Sequence, residues 1–262
     1  MSEFKFIKYS AEDRMAIIEM HRPEVYNALN FDAKMEIIQA IRLANRDDQV
    51  SSIILTGNGK AFCTGQDLND RSVQASNGAV DLGHTLETEW NPLINAIRDS
   101  KKIIISAING VCAGAGVSVA LACDLTITHK DTKFMGAFSK LGLAPDAGST
   151  YLFTRAMGYH KTMEFFLLGE PLLGVELHTQ GLINKLDENP MEAAKQYAMQ
   201  LASLAPLSME LIKKNIKNSL DMSFQESMQM EKAAQRFLGN SADYKEGLDA
   251  FLKKRKPIFK GH

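Results

Sequence analysis

Apolar positions in the first two-thirds of the chain alternate between two textures. Short β-branched runs, "MAIIEM" (15–20), "VSSIILTG" (50–57), "KIIISAING" (102–110) and "DLTITHKD" (124–131), end at turn residues and read as buried strands. Between them lie stretches with helical spacing. "FDAKMEIIQAIRLANRD" (31–47) places Met35, Ile38, Ile41 and Leu43 at intervals that predict an amphipathic helix, and "VCAGAGVSVALAC" is glycine-rich first and helical afterwards. Buried strands alternating with helices predict parallel pairing through crossovers, hence an α/β domain.

After Gly158 the text turns helical. "HKTMEFFLL", "PMEAAKQYAMQLASL", "LSMELIKKNIKNSL" and residues 223–238 each carry an amphipathic pattern, with strand signals nearly absent. The division expected is a core over 1–200 and a helical region over 201–262. The polar, small-residue stretch "SVQASNGAVDLG" (72–83) reads as a mobile surface loop.

Bulk composition narrows the classes. The 262 residues carry a net charge of −1, which argues against a nucleic-acid or membrane-surface partner. No apolar run reaches the roughly 18 residues of a spanning helix, and "MSEFKFIKYSAEDR" lacks the layout of a signal peptide. Cys63, Cys112 and Cys123 are an odd set without paired spacing, as expected of reduced thiols in a cytoplasmic protein.

Three glycine-bearing stretches are candidates for chemistry: "GKAFCTGQDLND" (59–70), "NGVCAGAGVSVALACD" (109–124) and "KLGLAPDAGST" (140–150). Glycines after a strand free backbone N–H groups to face a cleft, and a helix N-terminus beside them adds to that field. Two such amides on one point would form an oxyanion hole; the plainer alternative is close packing of helix on strand. "AGAGVS" lacks the third glycine of a dinucleotide loop, and no Lys-Ser or Lys-Thr closes a phosphate loop. Asp146, the lone acid in the third stretch, fits either an N-cap for a helix starting near Gly148 or Ser149 or a general base in an apolar pocket. The basic tail "FLKKRKPIF" (251–259) is either a solvated surface or a phosphate grip.

Taken together, "HRPEVYNALN", "SIILTGNGKAFCTGQDL", "AINGVCAGAGVSVALACDLTI", "FSKLGLAPDAGST" and "SADYKEGLDAFLKKRKPIF" resemble, in order and over essentially the whole length, the crotonase superfamily of enoyl-CoA hydratases and isomerases. The resemblance implies a crotonase (ClpP/crotonase-like) fold of repeated ββα units with a C-terminal helical trimerisation region. It also implies homotrimers or homohexamers, an acyl-CoA substrate, and no metal or other cofactor, coenzyme A entering as part of the substrate. By motif position the backbone N–H groups of Gln66 and Ala115 would hold the thioester oxygen, beside Gly114. Asn27, Ala28, Leu29, Asp67 and Leu68 would line the coenzyme A path, and Phe251 and Lys254 would meet it from the tail. The positions where the family's hydratases carry glutamates hold Ser118 and Phe138, so the paired acid–base addition of water is not expected. Asp146 is then the one acid at a family catalytic position. "GQDLNDR", "NPL", "AFSKLGLAPD" and "SADYKEG" further resemble the isomerase branch that converts ring-1,2-epoxyphenylacetyl-CoA to oxepin-CoA in phenylacetate breakdown. Phe138 would form an apolar wall for a cyclic acyl group. The alternatives are a Δ3-Δ2 enoyl-CoA isomerase or an enoyl-CoA hydratase of fatty-acid oxidation.

Overall fold

A computed structural model describes residues 4–70 and 81–262. Most of the loop expected over 72–83 lies outside the described residues; its end, Asp81, caps a helical turn by accepting from the His84 N–H.

Two sheets form the core. The larger has six strands: β1 (Ile7–Glu12), β2 (Met15–Met20), β3 (Ser52–Gly57), β5 (Ile103–Ile108), β7 (Leu125–Thr128) and β10 (Lys185–Leu186), in that spatial order. Only the β1–β2 hairpin is antiparallel. The second sheet runs β4 (Ala61–Cys63), β6 (Val111–Ala113), β8 (Lys133–Met135) and β9 (Leu172–Leu173). β3 and β5 are buried at every position, which is why they read as unbroken apolar runs and not as alternation. The two-residue strands β9 and β10 lie in the region whose text is otherwise helical, and two residues give no periodic signal.

The helices are α1 (Phe31–Arg46), α2 (Leu82–Thr85), α3 (Asn91–Arg98), α4 (Ala115–Ala122), α5 (Ser149–Leu168), α6 (Gly174–Thr179), α7 (Pro190–Leu201), α8 (Pro206–Ser219), α9 (Phe224–Leu238) and α10 (Ala242–Leu252). One π-helical turn, Leu86–Trp90, joins α2 to α3. The buried face of α1 is rotated from the one the sequence suggests. Leu43 is 44% exposed and Met35 only partly buried, while Ala33, Lys34, Ile37, Ile38, Ile41 and Ala44 turn inward. The charge of Lys34 among them is used in the site. α8 docks through Lys213, whose Nζ donates to Asp124 Oδ2 at 2.8 Å and to the carbonyls of Ile97 and Lys102. α9 buries no residue.

Asn27 latches the segment that enters the site. Its φ of 55° is left-handed, a region Asn tolerates. Its buried side chain accepts from Arg22 N–H at 2.9 Å and donates to the carbonyls of Asn58 and Ala61 at 2.9 and 2.8 Å. Asn27→Ala removes three bonds, leaving the part-buried Arg22 N–H and Asn58 carbonyl without this partner and the Ala61 carbonyl with the Asn109 side chain at 3.3 Å. It is expected to cost about 3 kcal/mol in denaturant unfolding; a change below about 1 kcal/mol would contradict the latch.

Candidate active site

β4, β6 and β8 are parallel neighbours, so the loops at their C-terminal ends emerge side by side. β4 leads into Thr64-Gly65-Gln66, β6 into Gly114 and the first turn of α4, and β8 into Gly136-Ala137-Phe138. Gly114 N–H donates to Met135 O at 2.9 Å and ties the second loop to the third.

The first two loops are in backbone contact. Gly65 has a φ of +91°, and a Cβ there would lie 3.0 Å from Ala115 N. A Cβ on Gly116 would lie 2.2 Å from Cys63 O. No side chain fits at either position, so both glycines serve close approach. Leu29 N–H donates to Gly65 O at 2.8 Å and Asp67 N–H to Leu29 O at 3.1 Å. In a parallel bridge of this kind the Gln66 N–H, between those two bonds, points to the opposite side. Ala115 is the first residue of α4, and its N–H has no acceptor within the helix. The two amides thus stand on adjacent loops at one cavity.

That cavity measures about 390 Å³. Gln66, Leu68, Gly114, Ala115, Phe138 and Asp146 all line it, together with Leu82, Leu86, Trp90, Leu141 and Leu143. Asp146 is the single acid among these lining residues. Its Oδ1 is buried and has no hydrogen-bond partner among the described residues. Burial raises the Asp146 carboxyl to about 6, and the Lys34 charge opposes part of that rise.

The choice between cap and base divides between two parts of Asp146. Its carbonyl accepts from Ser149 N–H at 3.0 Å and from the hydroxyls of Ser149 and Ser118 at 2.8 and 3.2 Å, so the backbone caps α5. The N-cap residue is Gly148, and the Asp146 side chain makes no capping bond. Ser118 therefore supports the Asp146 turn, and the Phe138 ring packs 6.1 Å from that of Phe166.

Other predicted residues are placed differently. The side chains of Asn27 and Leu29 are buried, and Ala28 is 9% exposed, so these residues buttress the first loop and offer a ligand mainly backbone. Asp67 is also buried and is held by Arg22 Nη2 at 2.8 Å. Phe251 and Lys254 line no part of the cavity. Phe251, 81% exposed, borders a separate groove between α8 and α10. In the basic tail, Arg255 is bound to Glu246 and Asp249. Among the described residues no group of three His, Cys, Asp or Glu could hold a metal ion, and no helix is long and apolar enough to cross a membrane.

Three residues at the site escaped the sequence patterns. Lys34 Nζ donates to Gln66 Oε1 at 2.8 Å and to Glu89 Oε2. Trp90 Nε1 donates to the same Gln66 oxygen at 2.8 Å. The available signal was a lysine on the Ile37–Ile41 face of α1.

The sequence model for enoyl-CoA hydratase/isomerase matches residues 10–262. The 1,2-epoxyphenylacetyl-CoA isomerase of Escherichia coli K12 is 39% identical over 98% of this chain and 99% of its own. A probable enoyl-CoA hydratase of Rhodobacter capsulatus is 36% identical over 97% and 98%. The structure of an enoyl-CoA hydratase subunit I from Geobacillus kaustophilus HTA426 superposes with a TM-score of 0.91 at 32% identity, covering all of both chains. The protein belongs to the enoyl-CoA hydratase/isomerase family, has the crotonase fold, and is an enzyme of that family.

The raised Asp146 carboxyl has a consequence for stability. The folded state holds this proton up to a higher pH than the unfolded chain does, so stability falls as pH rises from about 4 through 6. Asp146→Asn is expected to raise Tm at pH 8, where the wild type buries a charge. The gain should vanish near pH 3.5, where both states are protonated. Thermal unfolding at the two pH values checks this, and equal Tm values at pH 8 would contradict it.

Proposed function

We propose that the enzyme is an acyl-CoA isomerase in which Asp146 moves a proton while the Gln66 and Ala115 amides hold the thioester oxygen. The observation that carries this reading is the unpartnered Asp146 carboxylate in an apolar cavity bordered by those two loops. A proton next to a thioester carbonyl is too weakly acidic for a carboxylate in water to remove quickly. Two aimed amides lower the energy of the enolate, and one such donor is worth about 100- to 1000-fold in rate. Desolvation makes Asp146 a stronger base than a solvated carboxylate.

In the proposed step Asp146 takes the proton from the carbon beside the carbonyl, and the electron pair moves onto the thioester oxygen. The proton returns to another carbon and the double bond shifts. On a ring-1,2-epoxide next to that carbon, the same transfer accompanies widening of the ring to the oxepin; no atom enters or leaves. The E. coli relative bears the name of that activity, which supports ring-1,2-epoxyphenylacetyl-CoA as the substrate. Phe138, Leu141, Leu143 and Trp90 give a cyclic acyl group an apolar wall. Δ3-Δ2 isomerisation of a 3-enoyl-CoA needs the same base and the same amides. Hydration is disfavoured because Ser118 and Phe138 supply no second carboxylate to activate water.

Self-association through the C-terminal helices belongs to the same proposal. Ile212 and Ile216 on α8, Leu220 at its C-cap, Phe224 and Phe237 on α9, and Leu248 and Phe251 on α10 are each more than 45% exposed. Such an apolar surface suits contact with further copies of the chain, as a homotrimer or a pair of them, with Phe251 and Lys254 reaching a neighbour's coenzyme A. Sedimentation equilibrium should give three or six chains per particle; a monomer at micromolar concentration would contradict the assembly.

The catalytic reading is tested with Asp146→Asn on 3-enoyl-CoA and ring-1,2-epoxyphenylacetyl-CoA. Both rates are expected to fall about 100- to 10,000-fold. The wild-type kcat/KM should rise with pH through about 6 and then level, because the base must be ionised. Wild-type rates in the variant would remove Asp146 as the base, and ready hydration of crotonyl-CoA by the wild type would overturn the isomerase assignment.

A further inference from the structure

Behind Gln66 lies a buried cluster that takes no part in the chemistry described so far. The Lys34 side chain is fully enclosed, and that of Glu89 is 6% exposed. Lys34 Nζ bonds both Gln66 Oε1 and Glu89 Oε2, and lies 4.7 Å from the centre of the Trp90 ring. The Trp90 N–H completes the clamp on Gln66 Oε1. Neither Lys34 nor Glu89 lines the cavity, so neither would touch substrate there.

A buried ion pair is weak evidence for stability, because desolvation offsets its attraction. This pair instead meets the side chain of Gln66, the residue whose backbone N–H the proposed function assigns to the thioester oxygen. An amide displaced by about 1 Å loses much of its effect on a developing charge. We propose that Lys34 and Glu89 are positioning residues: they clamp Gln66 so that its N–H is aimed at the substrate carbonyl oxygen. The proposal rests on the reading of Gln66 and Asp146 given above.

The charged groups facing Asp146 are few. Lys34, from α1, favours its ionised form against burial. Glu89, from the π-helical turn, and Asp70, beyond β4, keep Lys34 charged against its own burial, which pulls its ammonium below the usual lysine range. α4 has no titratable side chain. Lys140, beside the third loop, is exposed and lies against Gly169. On α5, Arg155 and Tyr151 bond Asp221, and Arg98 of α3 lies over the Tyr151 ring.

The test compares pH–rate profiles on 3-enoyl-CoA for the wild type, Lys34→Met, the Lys34→Met/Glu89→Leu double variant and Asp146→Asn. The double variant removes both buried charges and keeps the volume apolar, so it remains informative if the single variant fails to fold. Loss of Lys34 should move the ascending limb of kcat/KM up by about one pH unit, which by itself makes the rate about fivefold lower at pH 6 and about tenfold lower well below it. Plateau kcat should fall about 10- to 100-fold, with KM changed less than about threefold. A role confined to folding would not move the limb. A folded double variant with the wild-type limb and plateau, beside an inactive Asp146→Asn, overturns the positioning role and leaves the base intact. If Asp146→Asn stays active while the Lys34 variants lose plateau kcat, the base reading falls and the Gln66 clamp is supported.

Discussion

One half-buried carboxylate, with one oxygen enclosed and unpaired, is the constraint around which this site is arranged. Burying an ionised group without a partner is costly, and proteins ordinarily pair it or let it take a proton. Here Asp146 keeps Oδ1 without a partner, and burial lifts its carboxyl to about 6. The surrounding turn makes this possible by backbone bonding. Ser118 and Ser149 both donate to the Asp146 carbonyl, so the turn is held without using the carboxylate. Ser118 fixes the turn, and Phe138 helps keep the cavity apolar.

The opposite side of the cavity depends on backbone proximity. Parallel pairing of β4 with β6 brings their outgoing loops together, and the absence of Cβ atoms at Gly65 and Gly116 lets them touch. Asn27 and Leu29 brace the first loop from one side, and Lys34 and Trp90 hold Gln66 from another. The cavity is thus built from elements spread over residues 27–149 and held by contacts with the core.

β2, β3, β5 and β7 and the glycine-bearing loops were legible in the sequence because buried parallel strands leave apolar, β-branched runs and their turns need glycine, whereas β1 and the two- and three-residue strands β4, β6, β8, β9 and β10 were not read. The cavity-lining positions of Gln66, Ala115, Phe138 and Asp146 could be expected from motif order. The face of α1 could not: Leu43 is apolar yet solvent-facing, and Lys34 is charged yet enclosed. Helical periodicity reports average burial, and a lysine whose partners lie 32 and 55 residues away leaves no local trace. Asn27 was legible as a motif residue but not as a latch, because its acceptors, the Asn58 and Ala61 carbonyls, belong to a turn and strand distant in sequence.

The most direct test of this account is a carbon-13 NMR titration of the Asp146 carboxyl in the free enzyme, assigned by its loss in Asp146→Asn. A midpoint near pH 6 is expected if the carboxylate is desolvated and unpaired as described. A midpoint at or below about 4, the ordinary value for a solvated aspartate, would contradict it.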